Sequence, residues 1–381
     1  MSDARTFLGV MSGTSCDGVD AVAVRLHGGP AGQAPVTVEI LAHEHAPYEV
    51  AFRARLLALS EARSEEIARL HVELGQRFGK AACSAIARAG IEAAEVVAIG
   101  SPGHTAVHLP PTTGDPGATL ALGDGDVIAE WTGCPVLSDV RARDRAAGGQ
   151  GAPLVPFADA CLLRTPGRTR AALNLGGIGN LTVVPPEGPP MAFDTGPGNM
   201  LLDGALARAT SGELSMDAGG ALGREGSVDE AWLREALAAD EFLSMQPPRS
   251  TGRERYGSAF LDVHWTRLGV LSVVDLAATL AAYTVECVAR SMEQFLVETP
   301  DELVVSGGGA FNACLMTGLA ERLAPMKVVD SESALGLPVL AREAVSFALL
   351  ADATLAEIPG NVPGVTGARR AVLLGKLSYG R

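Results

Sequence analysis

Lysine is almost missing from this chain of 381 residues, which contains only Lys80, Lys327 and Lys376. None of the three stands in a G-x-x-x-x-G-K-[ST] context, so the P-loop type of nucleotide site is excluded. Acidic residues number 44 against 30 basic ones, which gives a formal net charge of −14. Because nucleic acids and anionic membranes both require clustered basic side chains, we expect neither as a partner.

Paired cysteines and long apolar runs are missing as well. No C-x-x-C pair occurs, which disfavours a structural zinc site or a disulfide framework and predicts reduced thiols in the cytoplasm. No apolar run reaches the length of a membrane span, and the N-terminal residues lack the pattern of a signal peptide. The scattered cysteines are Cys16, Cys83, Cys134, Cys161, Cys287 and Cys314.

The composition and the coarse pattern predict a globular α/β chain of two domains. Hydrophobic residues make up 47% of the chain, and no polar tract indicates disorder. Helical periodicity covers 48–89, and a short strand at 96–100 is predicted to lead into a loop. The glycine-rich segment 146–156 is predicted as a hinge near the domain boundary. The predicted domains are 1–133 together with 359–381, and 134–358.

A glycine hairpin near the start of the chain is the first candidate for a ligand site. Residues 8–24 read LGVMSGTSCDGVDAVAV, a polar loop between two apolar runs predicted as strands. Because a strand follows the glycines, the dinucleotide-binding turn that opens a helix is excluded. The N–H and hydroxyl groups of Gly13, Thr14, Ser15 and Gly18 suit phosphate oxygens, and Asp17 could hold Mg²⁺ through water. An ordinary β-turn is the alternative for this hairpin taken alone.

Three later segments use glycine in a similar way. AALNLGGIGNLTVV at 171–184 again reads strand, glycine turn, strand, and SGGGAFN at 306–312 opens a helix where glycine would let adenine and ribose approach. FDTGPGN at 193–199 is predicted to place Asp194 at the end of an apolar strand. We predict Asp194 as a catalytic base, with helix capping as the alternative. Four such loops indicate duplicated α/β units around a ligand cleft.

An ordered set of motifs resembles one known family over nearly the whole chain. The most specific are MSGTSCDGVD at 11–20 and PPRSTGRERYG at 247–257, accompanied by AAGGQGAPLVP, NLGGIGNLT, FDTGPGN, VSGGGAFN and GNVPGVTGA. Together they resemble the anhydro-N-acetylmuramic acid kinases of the actin, sugar-kinase and heat-shock ATPase superfamily. The resemblance implies a two-domain ribonuclease H-like α/β fold, with ATP and Mg²⁺ as cofactors and a homodimer as the assembly.

The resemblance also implies a reaction and a set of site residues. The family opens the 1,6-anhydro ring of its sugar hydrolytically and phosphorylates O6, giving N-acetylmuramate 6-phosphate. Asp194 would deprotonate the water that attacks C1. The implied sugar contacts are Thr105, Arg141, Arg143 and Glu343. The implied ATP contacts are Gly13, Thr14, Ser15, Cys16, Asp17, Gly18, Val19, Asp20, Asn174, Gly176, Gly177, Asn180, Gly196, Gly198, Asn199, Gly307, Gly308, Gly309 and Asn312.

The chain departs from the family pattern mainly on the sugar side. SPGHT at 101–105 stands where the family usually has S-H-G-Q-T, and Cys16 stands where leucine is usual. Leu340-Ala341-Arg342 replaces an expected acidic or aromatic residue before Glu343. A levoglucosan-type anhydrosugar kinase and a non-catalytic actin-like ATP-binding protein therefore stay open as alternatives.

Overall fold

The computed structural model describes residues 4–13, 16–33, 35–109, 115 and 117–380, so the contacts predicted for Thr14 and Ser15 lie outside the described residues. The strands are β1 (Arg5–Ser12), β2 (Gly18–Gly28), β3 (Val36–Pro47), β4 (Val96–Leu109), β5 (Ala118–Leu122), β6 (Val136–Ser138), β7 (Arg170–Leu175), β8 (Ile178–Val184), β9 (Met191–Pro197), β10 (Glu302–Ser306), β11 (Lys327–Asp330) and β12 (Lys376–Ser378). The helices are α1 (Val50–Leu57), α2 (Ser64–Ala89), α3 (Gly125–Thr132), α4 (Ala142–Ala146), α5 (Val155–Leu163), α6 (Met200–Ala209), α7 (Ala221–Glu225), α8 (Glu230–Ala239), α9 (Arg253–Tyr256), α10 (Ser258–Leu268), α11 (Val273–Phe295), α12 (Ala313–Arg322), α13 (Ser331–Leu335), α14 (Arg342–Leu355) and α15 (Pro363–Thr366).

The first compact unit comprises Met1–Leu162 and Ala341–Arg381. Its sheet has the order β12-β6-β4-β1-β2-β3, with β5 added beside β4. Strand β2 is antiparallel to both β1 and β3, whereas β4 is parallel to β1 and β6 is parallel to β4. The long helix α2 buries Leu70, Leu74 and Phe78 in the core of this unit.

The second compact unit, Leu163–Leu340, repeats the same strand arrangement. Its sheet has the order β11-β10-β7-β8-β9. Strand β8 is antiparallel to both β7 and β9, whereas β10 is parallel to β7 and β11 is parallel to β10. Helix α11 packs Val285, Val288 and Met292 into the same core as Leu173 and Val305 of this sheet. Two sheets with this order confirm both the predicted duplication and the ribonuclease H-like α/β fold. No helix in the described ranges is long and apolar enough to cross a membrane.

The structure differs from the sequence-based expectation at two places in the first unit. The loop predicted after residue 100 is wrong, because β4 continues to Leu109 and pairs antiparallel with β5. The compact units also divide elsewhere than the predicted domains, since 134–162 and 341–358 belong to the first unit. Helix α14 lies in this second stretch and packs against β1 and β4.

Two neighbouring glycines form the surface on which α14 rests. Gly9 in β1 and Gly100 in β4 are paired across the parallel strands. A Cβ atom on Gly9 would lie 1.7 Å from the Ala344 carbonyl oxygen, and one on Gly100 would lie 2.0 Å from the Phe347 carbonyl oxygen. The helix backbone therefore touches the sheet directly, which any larger residue would prevent.

Replacing Gly9 with alanine should lower the free energy of unfolding by about 1–3 kcal/mol, because the added methyl group must displace α14. The matched control is Gly364→Ala, where a Cβ atom meets nothing within 4 Å. Urea unfolding curves for the two variants provide the comparison. Equal midpoints would contradict the direct contact between α14 and β1.

Candidate active site

Asp194 lies inside β9 and not at its end, because the strand continues to Pro197. The prediction of a turn directly after Asp194 is therefore wrong. Pairing with β8 continues to Pro197, opposite Ile178, and it places Asn180 directly opposite Asp194. The sequence TGPG reads as a turn, but the neighbouring strand holds its first three residues, 195–197, in the sheet.

Both oxygens of the Asp194 carboxylate accept a hydrogen bond from the second unit. The main-chain N–H of Thr251 donates to Oδ2 at 2.8 Å, and the side-chain amide of Asn180 donates to Oδ1. The main chain of Asp194 is held as well, since Arg249 Nε donates to its carbonyl oxygen at 2.9 Å. These bonds fix the orientation of the carboxylate.

Burial raises the pKa of Asp194 to about 6. The hydrogen bonds from Thr251 and Asn180 and the positive charge of Arg249 oppose this rise, while the negative charge of Glu254 adds to it. A carboxylate with such a pKa is still mostly ionised at neutral pH, yet it is a stronger proton acceptor than an exposed aspartate. These properties suit a general base.

The glycine turns of the second unit meet beside this strand. The N–H of Gly198 donates to the Gly177 carbonyl at 2.8 Å, and the N–H of Asn199 donates to the Gly176 carbonyl at 2.8 Å. The loop after β10 joins them, because the Cβ position of Gly307 lies 2.4 Å from the side-chain oxygen of Asn174. The structure thus brings together most of the nucleotide residues predicted in this unit. We call residues 174–177, 198–199 and 307–309 the glycine cradle.

Glycine occurs in the cradle for two different physical reasons. A Cβ atom on Gly198 would lie 2.3 Å from the Gly176 carbonyl oxygen, and one on Gly309 would lie 2.6 Å from Leu175 Cβ. Packing within the protein therefore requires both. A Cβ atom on Gly308 would lie 3.6 Å from its nearest neighbouring atom, and one on Gly176 would lie 3.9 Å from its nearest. Glycine at these two positions leaves open a backbone surface that a phosphate or a flat ring can approach, which fits the expected nucleotide.

Three other residues of this unit that are predicted to contact the nucleotide have roles within the fold itself. Asn180 bonds Asp194. Asn312 caps α12 by accepting the N–H of Leu315 at 3.1 Å. Gly196 has a positive φ of 137° and lies against Cys287, so it serves the packing of β9 on α11. Their contacts with ATP stay predictions.

The first-unit hairpin turns through a residue with positive φ, Cys16. Its N–H donates to the Gly13 carbonyl at 3.2 Å, while its buried sulfur lies 3.9 Å from His104 Nε2. The other ring nitrogen of His104 lies 3.2 Å from the Ser12 hydroxyl. Two departures from the family pattern, Cys16 and His104, therefore contact each other beneath the hairpin. Because Val19 is also in the core, only the main chain of Cys16 and Val19 can face a ligand.

The two acidic residues of this hairpin have different surroundings. Asp17 is exposed, and its carbonyl oxygen accepts the N–H of Tyr48 at 2.9 Å. Asp20 Oδ1 lies 3.1 Å from ring nitrogens of both His43 and His45 on β3. Among the described residues no group of three or more acidic, histidine or cysteine side chains could hold a metal. Mg²⁺ bound to phosphates keeps several waters, so one water-mediated contact to Asp17 fits its chemistry.

Arg141 and Glu343 are sugar-side candidates that lie close enough to interact in the first unit. Burial lowers the pKa of Arg141, and the negative charge of Glu343 opposes that shift. Arg141 Nη1 donates to the Gly151 carbonyl at 2.9 Å, but its buried Nε has no hydrogen-bond partner within the described part of the chain. A guanidinium with an unsatisfied N–H suits an anionic ligand oxygen. Thr105 lies in β4, and Arg143 is exposed on α4.

Three residues near the glycine turns have surroundings that sequence reasoning did not reveal. The motif at 247–257 indicates the family but assigns no role to Arg249 or Thr251, whose contacts with Asp194 span more than fifty positions. Asp203 lies in the first turn of α6, where burial and the negative charge of Asp217 raise its pKa to about 6. An acidic residue in a first helical turn is common, so it carried no distinguishing signal.

Replacing Gly308 with alanine should leave the melting temperature unchanged and weaken ATP binding about tenfold, since the methyl group occupies ligand space and not protein space. Gly309→Ala is the contrasting variant, because its methyl group collides with Leu175 and should lower the melting temperature. Calorimetry provides both measurements. Unchanged ATP affinity in a stable Gly308→Ala protein would contradict the cradle as a nucleotide site.

Comparison with known proteins gives a consistent family. A family model described as anhydro-N-acetylmuramic acid kinase matches residues 5–380. A protein of that name from Caldanaerobacter subterraneus subsp. tengcongensis is 40% identical over 390 aligned positions, covering 99% of this chain and 97% of the relative. Another of that name from Gloeobacter violaceus is 42% identical over 379 positions, covering 98% of each chain.

Proposed function

The chain belongs to the anhydro-N-acetylmuramic acid kinase family, and from this premise we propose that it is an ATP-dependent phosphotransferase acting on 1,6-anhydro-N-acetylmuramic acid. It opens the 1,6-anhydro ring with water and phosphorylates O6, giving N-acetylmuramate 6-phosphate in cell-wall recycling and amino-sugar metabolism. The observation that carries the proposal is the oriented Asp194 carboxylate, in the same strand that leads into the glycine cradle.

The proposed reaction needs one base and a clamp for the phosphates. Asp194 accepts a proton from a water molecule, and the oxygen of that water forms a bond to C1 of the sugar. The C1–O6 bond breaks, and O6 uses the released electron pair to attack the γ-phosphorus as ADP departs. The proton stays on Asp194 until it is released to solvent, so the net change is one water consumed and one phosphoryl group transferred.

Supporting groups complete the proposal. The glycine cradle and the first-unit hairpin bind ATP. Asp17 would hold Mg²⁺ through water, and the ion would supply positive charge that offsets the charge of the phosphates. A homodimer in the cytoplasm is proposed on the family resemblance and the scattered cysteines. All six cysteines lie in the described ranges, and none forms a disulfide bond.

The chemistry of Arg141 favours the muramic acid substrate over levoglucosan. N-acetylmuramic acid carries a lactyl carboxylate, which levoglucosan lacks, and the unsatisfied Nε of Arg141 is suited to such an anion. Thr105, Arg143 and Glu343 are the other proposed sugar contacts. The altered residue His104 gives little support to levoglucosan, since the residue is only 2% exposed and its ring nitrogens lie near Ser12 and Cys16.

Incubation with ATP, Mg²⁺ and the anhydro-muramic acid should release ADP together with a sugar 6-phosphate. We expect kcat/KM to be higher for this substrate than for levoglucosan. Arg141→Gln should lower kcat/KM about tenfold or more for the muramic acid alone, because it removes a charged partner of the lactyl carboxylate. Preference for levoglucosan in the unmodified protein would contradict the proposed substrate.

Replacing Asp194 with asparagine should reduce kcat by about 10²–10⁴-fold, the usual contribution of a general base, while ATP affinity stays near its original value. In the unmodified protein the rate should fall as the pH drops through about 6, because protonation of Asp194 removes the base. Rates at graded pH provide the measurement. ADP release that does not depend on sugar would instead favour the non-catalytic ATP-binding alternative.

A further inference from the structure

The guanidinium of Arg249 is buried, with 6% of the residue exposed, and it bonds almost entirely to main-chain carbonyl groups. Within the described part of the chain, no carboxylate accepts a hydrogen bond from it. Its acceptors are the carbonyls of Asp194 at 2.9 Å, Phe242 at 2.9 Å, Leu243 at 3.2 Å and Met245 at 3.3 Å, and the Ser291 hydroxyl at 2.6 Å. Burying a charge to bond carbonyl groups is costly, so the position requires a reason.

Aromatic rings complete the surroundings of Arg249. The guanidinium carbon lies 4.5 Å from the ring centre of Phe242 and 4.6 Å from that of Phe295, with Phe193 at 5.5 Å. These distances allow cation–π attraction, which offsets part of the desolvation. These contacts hold the Arg249 side chain in a single conformation, in which it connects β9, the segment 242–245 and α11.

The main chain next to Arg249 closes around Asp194. The carbonyl oxygen of Arg249 accepts the N–H of Asp194 at 3.2 Å. Two residues later, the N–H of Thr251 donates to Asp194 Oδ2 at 2.8 Å. Residues 249–251 therefore form hydrogen bonds with the N–H, the carbonyl oxygen and the carboxylate of Asp194. We call residues 249–251 the Asp194 clip.

The ends of the surrounding segment are fixed independently of Arg249. The buried carboxylate of Asp240 accepts the hydroxyl of Tyr256 at 2.6 Å and that of Tyr283 at 2.8 Å. Tyr283 belongs to α11, so residues 240 and 256 are both tied to this helix. Loss of Arg249 would then loosen the middle of the segment, which contains the Asp194 clip, more than its ends.

We propose that Arg249 is a positioning residue that holds the Thr251 N–H on the Asp194 carboxylate and thereby keeps the base oriented and ionised. This inference rests on the proposed function, in which Asp194 accepts the proton of the attacking water. It adds a residue that does not touch substrate but controls the geometry of one that does.

The groups that face Asp194 determine the direction of the expected effect. The Thr251 N–H and the Asn180 amide stabilise the ionised carboxylate, as does the charge of Arg249, whereas Glu254 favours protonation. Removing the Thr251 bond or the charge of Arg249 therefore raises the pKa of Asp194. Because the base must be ionised, the acid limb of the rate profile should move to higher pH.

The first test compares the pH dependence of kcat in Arg249→Met, Arg249→Lys and Ser291→Ala with that of the unmodified protein. For Arg249→Met we expect the acid limb to move from about pH 6 to about pH 7, with kcat at pH 7 reduced about tenfold or more. Lysine should restore part of the loss, and Ser291→Ala should give a smaller shift. The KM for ATP should stay within about twofold, because the glycine cradle is intact.

Arg164→Met is the matched control. Arg164 also donates to three carbonyl groups of the second unit, those of Pro185, Pro186 and Gly188, but not to Asp194. This variant should keep the acid limb in place. An equal shift in both methionine variants would assign the effect to general loosening of the unit and overturn the proposal.

A second variant removes only the hydrogen bond. Incorporation of the α-hydroxy analogue of threonine at position 251 replaces the N–H with an ester oxygen and leaves Arg249 buried. Threonine incorporated by the same method is its control. The ester should raise the acid limb as Arg249→Met does, even if Arg249→Met is too unstable to assay. An unchanged limb in the folded ester protein would overturn the proposal.

A readout without turnover separates this inference from the proposed function. The Asp194 resonance of protein with ¹³C-carboxyl-labelled aspartate, assigned by its loss in Asp194→Asn, reports the pKa directly. Higher pKa values in the Arg249 and ester variants support the clip whether or not the anhydrosugar is a substrate. Absence of sugar-dependent ADP release in the unmodified protein counts against the proposed function alone, whereas unchanged pKa values count against the clip alone.

Discussion

The Asp194 carboxylate remains a usable base because two hydrogen bonds oppose its desolvation. Burial favours the protonated form of the carboxyl group, which cannot accept a proton. The amide of Asn180 and the N–H of Thr251 stabilise the ionised carboxylate, so that its pKa stays at about 6. The remaining architecture of the second unit supplies these donors, since the β8–β9 pairing places Asn180 and the Asp194 clip places Thr251.

Glycine serves two opposite purposes in this protein. At Gly9 the absence of a side chain lets α14 touch the sheet, and at Gly198 it lets two turns touch each other. At Gly176 and Gly308 the fold leaves space for a side chain, as the proposed contact with a nucleotide requires. The distinction supports the proposal that Gly176 and Gly308 face a bound ligand, whereas Gly198 in the same cradle serves packing. The two units share a strand order, but the surroundings of their hairpins differ, since a Cys16–His104 contact lies beneath the first and the turn at 198–199 contacts the second.

Local patterns sufficed to predict much of the fold. The helical periodicity over 48–89 corresponds to α1 and α2, and the strand–turn–strand pattern at 171–184 corresponds to β7 and β8, because apolar spacing and turn residues mark both segments. Pairing between distant residues was not predictable: β4 extends to Leu109 only because β5 lies beside it, and α14 joins the first unit through Gly9 and Gly100. In the site, the motif predicted Asp194 itself. Its partners Thr251 and Arg249 depend on contacts across more than fifty residues, which no local spacing encodes.

In the proposed reaction, water attacks C1 of the sugar while O6 receives the phosphoryl group. A single turnover in ¹⁸O-labelled water tests this most directly, with the product analysed within minutes by mass spectrometry and phosphorus NMR. We expect one ¹⁸O atom at the C1 hydroxyl, none on the phosphate, and product formation slowed by about 10²–10⁴-fold in Asp194→Asn. Label on phosphorus would contradict it, because the water activated in the site would then be hydrolysing ATP and not opening the anhydro ring.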